Sequence, residues 1–225
     1  QPQPQPPTPT QKISWKAVAT LISVLLILFT VYKLAKLIDR RPEREANVFN
    51  LPAPLIYAEN SKKISLDDIK IEALQTDQGS GELRYLYFVE NDELLKTAGF
   101  FNKLETSIPG PFLRNLNDEF MLGTSNNKGF LILKTNSYES AFAGMLEWEK
   151  NLPDDLLPIL SGKKALGNWE DRILKNKDTR VFKEEGGSVG LIYAFLNRNL
   201  LLIAPDEATF SEILSRFNAP KPVIR

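Results

Sequence analysis

Ala17 to Tyr32 reads AVATLISVLLILFTVY, sixteen consecutive residues without a charge, and no other feature of the chain narrows its options so sharply. As a helix rising about 1.5 Å per residue the run reaches about 24 Å, short of a bilayer core of ~30 Å. The flanks lengthen it. Ile13 and Trp15 precede Lys16, while Leu34, Ala35, Leu37 and Ile38 carry the apolar pattern past Lys33. Lysine stems lie along lipid with the ammonium lifted to the headgroups, so the segment read as a single transmembrane helix is 13–38. Ten of the sixteen core residues are Leu, Ile, Val or Phe, worth about −3 to −6 kcal/mol of insertion free energy, which outweighs one lysine near an end. Trp15 and Tyr32 fall where an interfacial aromatic belt would hold them. With Lys16, Lys33 and Lys36 they are the expected membrane-interface anchors, and the expected partner is the lipid bilayer. A cleaved signal peptide fits poorly, since no small-x-small site follows. An interfacial helix needs a polar face, and 17–32 has none.

The remaining composition excludes more than it assigns. Lys and Arg together number 28 and so do Asp and Glu, so no global field favours nucleic acid, and none is expected as a partner. There are no cysteines and no histidines. Disulfide frameworks, thiolate chemistry, Ser-His triads and most zinc and iron sites are thereby removed. No cofactor, metal or catalytic residue is expected. The chain opens on glutamine rather than methionine, which predicts further sequence upstream.

Residues 1–12 open with QPQPQPPTPTQ, a proline-rich tail expected to be an extended, disordered spacer. Pro6-Pro7-Thr8-Pro9 is similar to ligands of proline-recognising domains. Residues 39–50 are a charged juxtamembrane linker broken by Pro42. Two cations (Lys12, Lys16) precede the apolar run and five (Lys33, Lys36, Arg40, Arg41, Arg44) follow it. Taken literally, that count leaves the large domain in the cytoplasm.

Residues 51–225 carry the periodicities of a globular domain. A strand is expected over Pro54 to Glu59, and a short helix from Ser65 through Leu74, with Ile69 and Ile71 suiting a strand equally well. Gln78-Gly79-Ser80-Gly81 reads as a loop and Leu83 to Val89 as a strand. Phe100, Phe101 and Leu104 mark a helical turn that Pro109 and Pro111 should break. Asn126-Asn127-Lys128-Gly129 has hairpin-loop composition between Glu119–Gly123 and Phe130–Lys134. Asn136 is the expected cap of a helix whose Tyr138, Ala141, Phe142, Met145, Leu146 and Leu152 form one apolar stripe. Pro153 ends or restarts it. Strands follow at Trp169–Leu174, Thr179–Lys183, Ser188–Leu196 and Leu200–Ala204, the last two apolar on both faces and so central in a covered sheet. Asp206 caps a final helix with Phe210, Ile213, Leu214 and Phe217 on one side.

A hairpin followed by a capped amphipathic helix occurs at 119–152 and again at 188–217, with a fainter version at 83–104. Each copy would lay its helix over its own strands. The expected fold is therefore α+β: an antiparallel sheet covered on one face by amphipathic helices from repeated hairpin–helix units, preceded by the single transmembrane helix.

Phe120-Met121-Leu122-Gly123, Gly129 to Lys134, Ala141 to Glu149 and Asn176 to Arg180, with the closing 200–217 strand and helix, carry a resemblance. The chain resembles uncharacterised single-pass membrane proteins of candidate-phylum (Patescibacteria-type) bacteria, which share the order proline-rich tail, membrane helix, domain. The resemblance implies an extracytoplasmic domain on a cell-membrane anchor, against the flank count, and it carries no activity. Adjacent acids such as Asp67-Asp68 and Asp154-Asp155 point about 100° apart on a helix and suit helix starts rather than catalysis. Glu184-Glu185 is a solvated turn. Gly79-Ser80-Gly81 and Ser161-Gly162-Lys163-Lys164 lack the spacing of a phosphate loop. Trp148 and Trp169 could stack on a ligand, although packing is the simpler role. Two functions remain: a membrane-anchored, non-catalytic interaction or scaffold domain at the envelope, with another envelope protein as partner, or an envelope enzyme or glycan- or peptide-binding protein using carboxylates.

Overall fold

The computed structural model describes residues 29, 33, 54–56, 58–64, 82–90, 93–164 and 166–219. The chain divides into two compact units, Gln1–Leu51 and Pro52–Arg225. In the first, only Phe29 and Lys33 are described; both are helical, and the Lys33 ammonium stands 5.6 Å from the Phe29 ring centroid. Among the described residues no helix is long and apolar enough to cross a membrane, so the transmembrane helix expected at the front of the fold is without support there. The rest of the expected 13–38 span, with Trp15, Lys16, Tyr32 and Lys36, lies outside the described residues. So do the tail, the linker, the expected 65–74 helix and the 78–81 loop.

The second unit is built on one large sheet. Its strands are β1 (Asn60–Ile64), β2 (Leu83–Glu90), β3 (Glu93–Leu94), β4 (Leu116–Ser125), β5 (Lys128–Thr135), β6 (Gly167–Leu174), β7 (Lys177–Glu184), β8 (Val189–Asn197) and β9 (Leu200–Ala204). Their order is β1-β2-β4-β5-β9-β8-β7-β6, with β3 hydrogen-bonded to β2 off that path. The helices are α1 (Thr97–Lys103), α2 (Gly110–Asn115), α3 (Tyr138–Trp148), α4 (Leu152–Leu160) and α5 (Glu207–Asn218).

Local chemistry sets the joints. Asn126 and Asn127 (φ 48° and 61°) close β4 onto β5, and Lys175 and Asn176 (φ 51° and 61°) close β6 onto β7. Two successive left-handed residues match the twist of a two-residue hairpin, which Asn tolerates well. Pro109 and Pro111 do not merely break a helix. Pro109 precedes α2 and Pro111 lies in its first turn, where the missing N–H has no intrahelical partner to lose. Pro153 likewise starts α4. The cap of α3 is Ser137, whose hydroxyl accepts from the Ser140 N–H, rather than Asn136. Asp206 does cap α5, accepting from the Thr209 N–H at 2.8 Å. The segment before β1 is bent, with Ile56 buried, and the first strand begins at Asn60.

Two corrections concern the sheet. It is mixed, because β1 runs parallel to β2, pairing Asn60 with Arg84 through Ile64 with Phe88. It is also covered on both faces. Along β5, Leu131 and Leu133 join one buried cluster and Phe130 and Ile132 the other. β9 divides in the same way, with Leu201 and Ile203 opposite Leu202 and Ala204. Strands apolar on both sides need two covers. α1 to α4 supply one through Phe100, Phe101, Phe112, Met145, Trp148 and Leu156. α5 supplies part of the other through Phe210, Ile213 and Leu214.

That division answers the repeat expectation. β5 and β9 pair antiparallel, and β4 and β8 flank them, so a two-fold axis through the sheet relates the two hairpins. The same axis would leave both following helices on one face, yet α3 and α5 pack on opposite faces. The two hairpin–helix units are of opposite hand and are not copies of one structure.

Candidate interaction groove

α3 leaves part of its apolar surface in solvent. Ala141, Met145 and Trp148 are fully buried, whereas Phe142 and Leu146 are 41% and 44% exposed. The reason lies at Gly144. A Cβ built there would stand 2.5 Å from the Phe112 Cβ, so α2 reaches the α3 backbone at that point. The line through 141, 144, 145 and 148 therefore faces inward, and Tyr138, Phe142 and Leu146 turn away from it. The stripe read from the sequence is wider than the buried one.

Beside this helix lies an open part of the same sheet face. The register puts Asp171 opposite Arg180 and Arg180 opposite Tyr193, with Ile173 opposite Asp178 on the next row. Together with Tyr138, Phe142 and Phe195 they line a groove of about 920 Å³. Its lining is mixed, with an apolar part in which the Tyr138 ring meets Phe195 edge-on at 4.7 Å and stacks on Phe142 at 6.1 Å, and Ile173 is 74% exposed.

The polar groups at its inner end are used up on one another. Arg180 donates from Nε to Oε1 and from Nη2 to Oε2 of Glu149, both at 2.7 Å, and from Nη1 to Asp171 Oδ1 at 3.0 Å. The Tyr193 hydroxyl donates to Glu149 Oε1 at 2.6 Å. Trp169 Nε1 donates to the Glu149 carbonyl at 2.9 Å. The hydrogen bonds to Glu149 hold the Arg180 guanidinium above its ordinary pKa against the cost of burial. Burial, then the bond to Glu149, pushes the Tyr193 phenol up. Tyr193 thus stays a proton donor, Arg180 stays charged, and both Glu149 oxygens already accept bonds. Glu149 is thereby fixed in place from two sides, by the Arg180 guanidinium and the Tyr193 hydroxyl. At the rim, Arg198 pairs with Glu139 at 2.7 Å and sits 6.0 Å from the Tyr138 ring, and Lys177 Nζ donates to the Leu196 carbonyl at 2.8 Å.

The residues singled out from sequence fall elsewhere. Trp148 is fully buried and donates to Asp155 Oδ2 at 2.7 Å; Trp169 is half-buried against Phe182 and Tyr193. Both are packing residues. Asp154 and Asp155 lie in the first turn of α4, and Asp155 also accepts from the Ser107 N–H at 2.9 Å. Glu184 accepts from the Ser188 hydroxyl across the Gly186-Gly187 turn. Among the described residues no group of three or more acidic side chains is placed to hold a metal ion. Glu149, Asp171, Arg180 and Tyr193 come from one helix end and three strands, and no spacing in the sequence links them. Comparison with protein-family models, curated proteins and solved structures found no match.

Proposed function

We propose that the 52–225 unit is a non-catalytic interaction domain whose binding surface is the groove between α3 and β6–β8. The observation that carries this is the exposure of Phe142 and Ile173 across one groove, at whose inner end Arg180 is already paired with Glu149 and Asp171. Scattered exposed apolar residues need no explanation, but aromatic and branched side chains lining one concavity are what a partner's anchor residue fills. The expected occupant is a protein segment with an apolar anchor between Phe142 and Ile173 and polar neighbours facing Asp178 and Arg198 at the rim. The alternative, a carboxylate enzyme, needs a pair of carboxyl groups flanking the substrate, one of them a proton donor. Glu149 and Asp171 are instead joined through Arg180.

Selection from a displayed random-peptide library against the full chain tests the proposal. Enriched peptides should share an apolar residue at a fixed position and be recovered intact. Failure to enrich any shared pattern, or cleavage of bound peptides, contradicts it.

A further inference from the structure

The free edge of β6 is the second exposed feature of this half of the sheet, and it stands on geometry separate from the groove. β6 pairs with β7 along its whole length, and among the described residues nothing pairs with its other side. The Glu185 N–H donates to the Leu166 carbonyl at 3.0 Å, and Leu174 and Lys177 flank a two-residue turn. Both place the even-numbered residues of β6 in hydrogen-bonded pairs with β7. Antiparallel ladders alternate, so Trp169, Asp171 and Ile173 turn their main-chain N–H and C=O groups to the open edge.

Edge strands usually carry charges that deter pairing, and β6 carries Glu170, Asp171 and Arg172. This pattern deters other strands but not its own copy. Across a two-fold axis normal to the sheet, residues of one face meet residues of the same face, which leaves few registers. Centred on Glu170 or Arg172, like charges meet and Trp169 or Ile173 faces a charged side chain. Centred on Asp171, Glu170 meets the other copy's Arg172 twice and Trp169 meets its Ile173 twice. Only the two Asp171 carboxylates then oppose each other, and each already accepts from an Arg180. Cross-strand pairs of opposite charge and of aromatic with branched residues favour a register.

We propose that β6 pairs antiparallel with β6 of a second copy of this chain, centred on Asp171, joining two sheets into one. Trp169, Asp171 and Ile173 of each copy exchange about six main-chain hydrogen bonds in that register. Ile173 gains a cross-strand neighbour on its edge side only, and the two grooves come to lie on the same side of the joined sheet.

The chain has no cysteine, so a single introduced thiol reports the register. Asp171 is 86% exposed, and its counterpart would lie about 5.5 Å away between Cα atoms, within disulfide range. Under mild oxidation the full chain carrying Asp171→Cys should form at least ten times more covalent dimer than one carrying Asp178→Cys, whose residue lies on the inner strand β7. Adding Ile173→Pro removes an outward N–H that the fold does not use, and should lower the dimer yield at least tenfold. Equal yields from the two cysteine positions, no dimer from Asp171→Cys, or a yield indifferent to Ile173→Pro each overturn the proposal, whatever the groove binds.

Discussion

Arg180 grips Glu149 with two parallel hydrogen bonds of 2.7 Å, one from Nε and one from Nη2, tying strand β7 to the residue that ends α3. The pair is mostly out of water, with side chains 21% and 12% exposed. Removing one partner strands the other's charge, whereas removing both does not. Arg180→Ala should therefore cost about 2–3 kcal/mol, between the values for exposed and buried pairs. In denaturant unfolding, Arg180→Ala/Glu149→Ala should cost at least ~1 kcal/mol less than the sum of the single variants. Additive costs would mean that the pair is not coupled.

Gly144→Ala sets two effects against each other. Within a helix, alanine is favoured over glycine by about 1 kcal/mol. The added Cβ would stand 2.5 Å from the Phe112 Cβ, an atom next to the α2 backbone and unable to swing aside. Overpacking costs about 1–3 kcal/mol, and at this separation it wins. The variant should unfold at lower denaturant than the parent; a stabilised variant would show that α2 is free to move off α3.

Asp206 predicts an acid limb in the stability profile. Burial pushes its carboxyl up, but the bond from Lys128 and the bonds from Thr209 outweigh burial and hold it below the ordinary aspartate range. A depressed native pKa adds stability that is complete above the unfolded value of about 3.9 and is lost as pH falls through the lower native value. Asp206→Asn keeps a capping side chain yet should unfold with a shallower slope below about pH 4. The slope from urea midpoints at stepped pH is the readout, and an unchanged slope would assign the acid limb to other groups.

Much of the frame was legible in the sequence. The unbroken apolar character of Leu200–Ala204 and of most of Ser188–Leu196 placed β9 and β8 in the middle of the sheet, where they lie, because strands apolar on both faces leave few other sites. The same observation held the reason why helices on one face could not suffice. The direction of β1 was not legible, since a parallel pairing between 60–64 and 84–88 is a tertiary choice with no local signal. Nor was the outward turn of Phe142. Tyr138, Phe142 and Leu146 match the helical period as well as Ala141 and Met145 do, and only the approach of Phe112 to Gly144 selects which line is buried. The groove's polar end escaped for a related reason. Glu149, Asp171, Arg180 and Tyr193 meet through sheet register, which sequence spacing does not encode.

The most direct measurement is the affinity of library-selected peptides for the full chain with and without Phe142→Ser. Phe142 is 41% exposed, so its removal should shift stability by less than about 1 kcal/mol. The same removal should weaken peptide binding at least tenfold, about 1.4 kcal/mol. Peptides that bind the variant as tightly as the parent, with folding intact, would contradict the assignment of this groove as the binding surface.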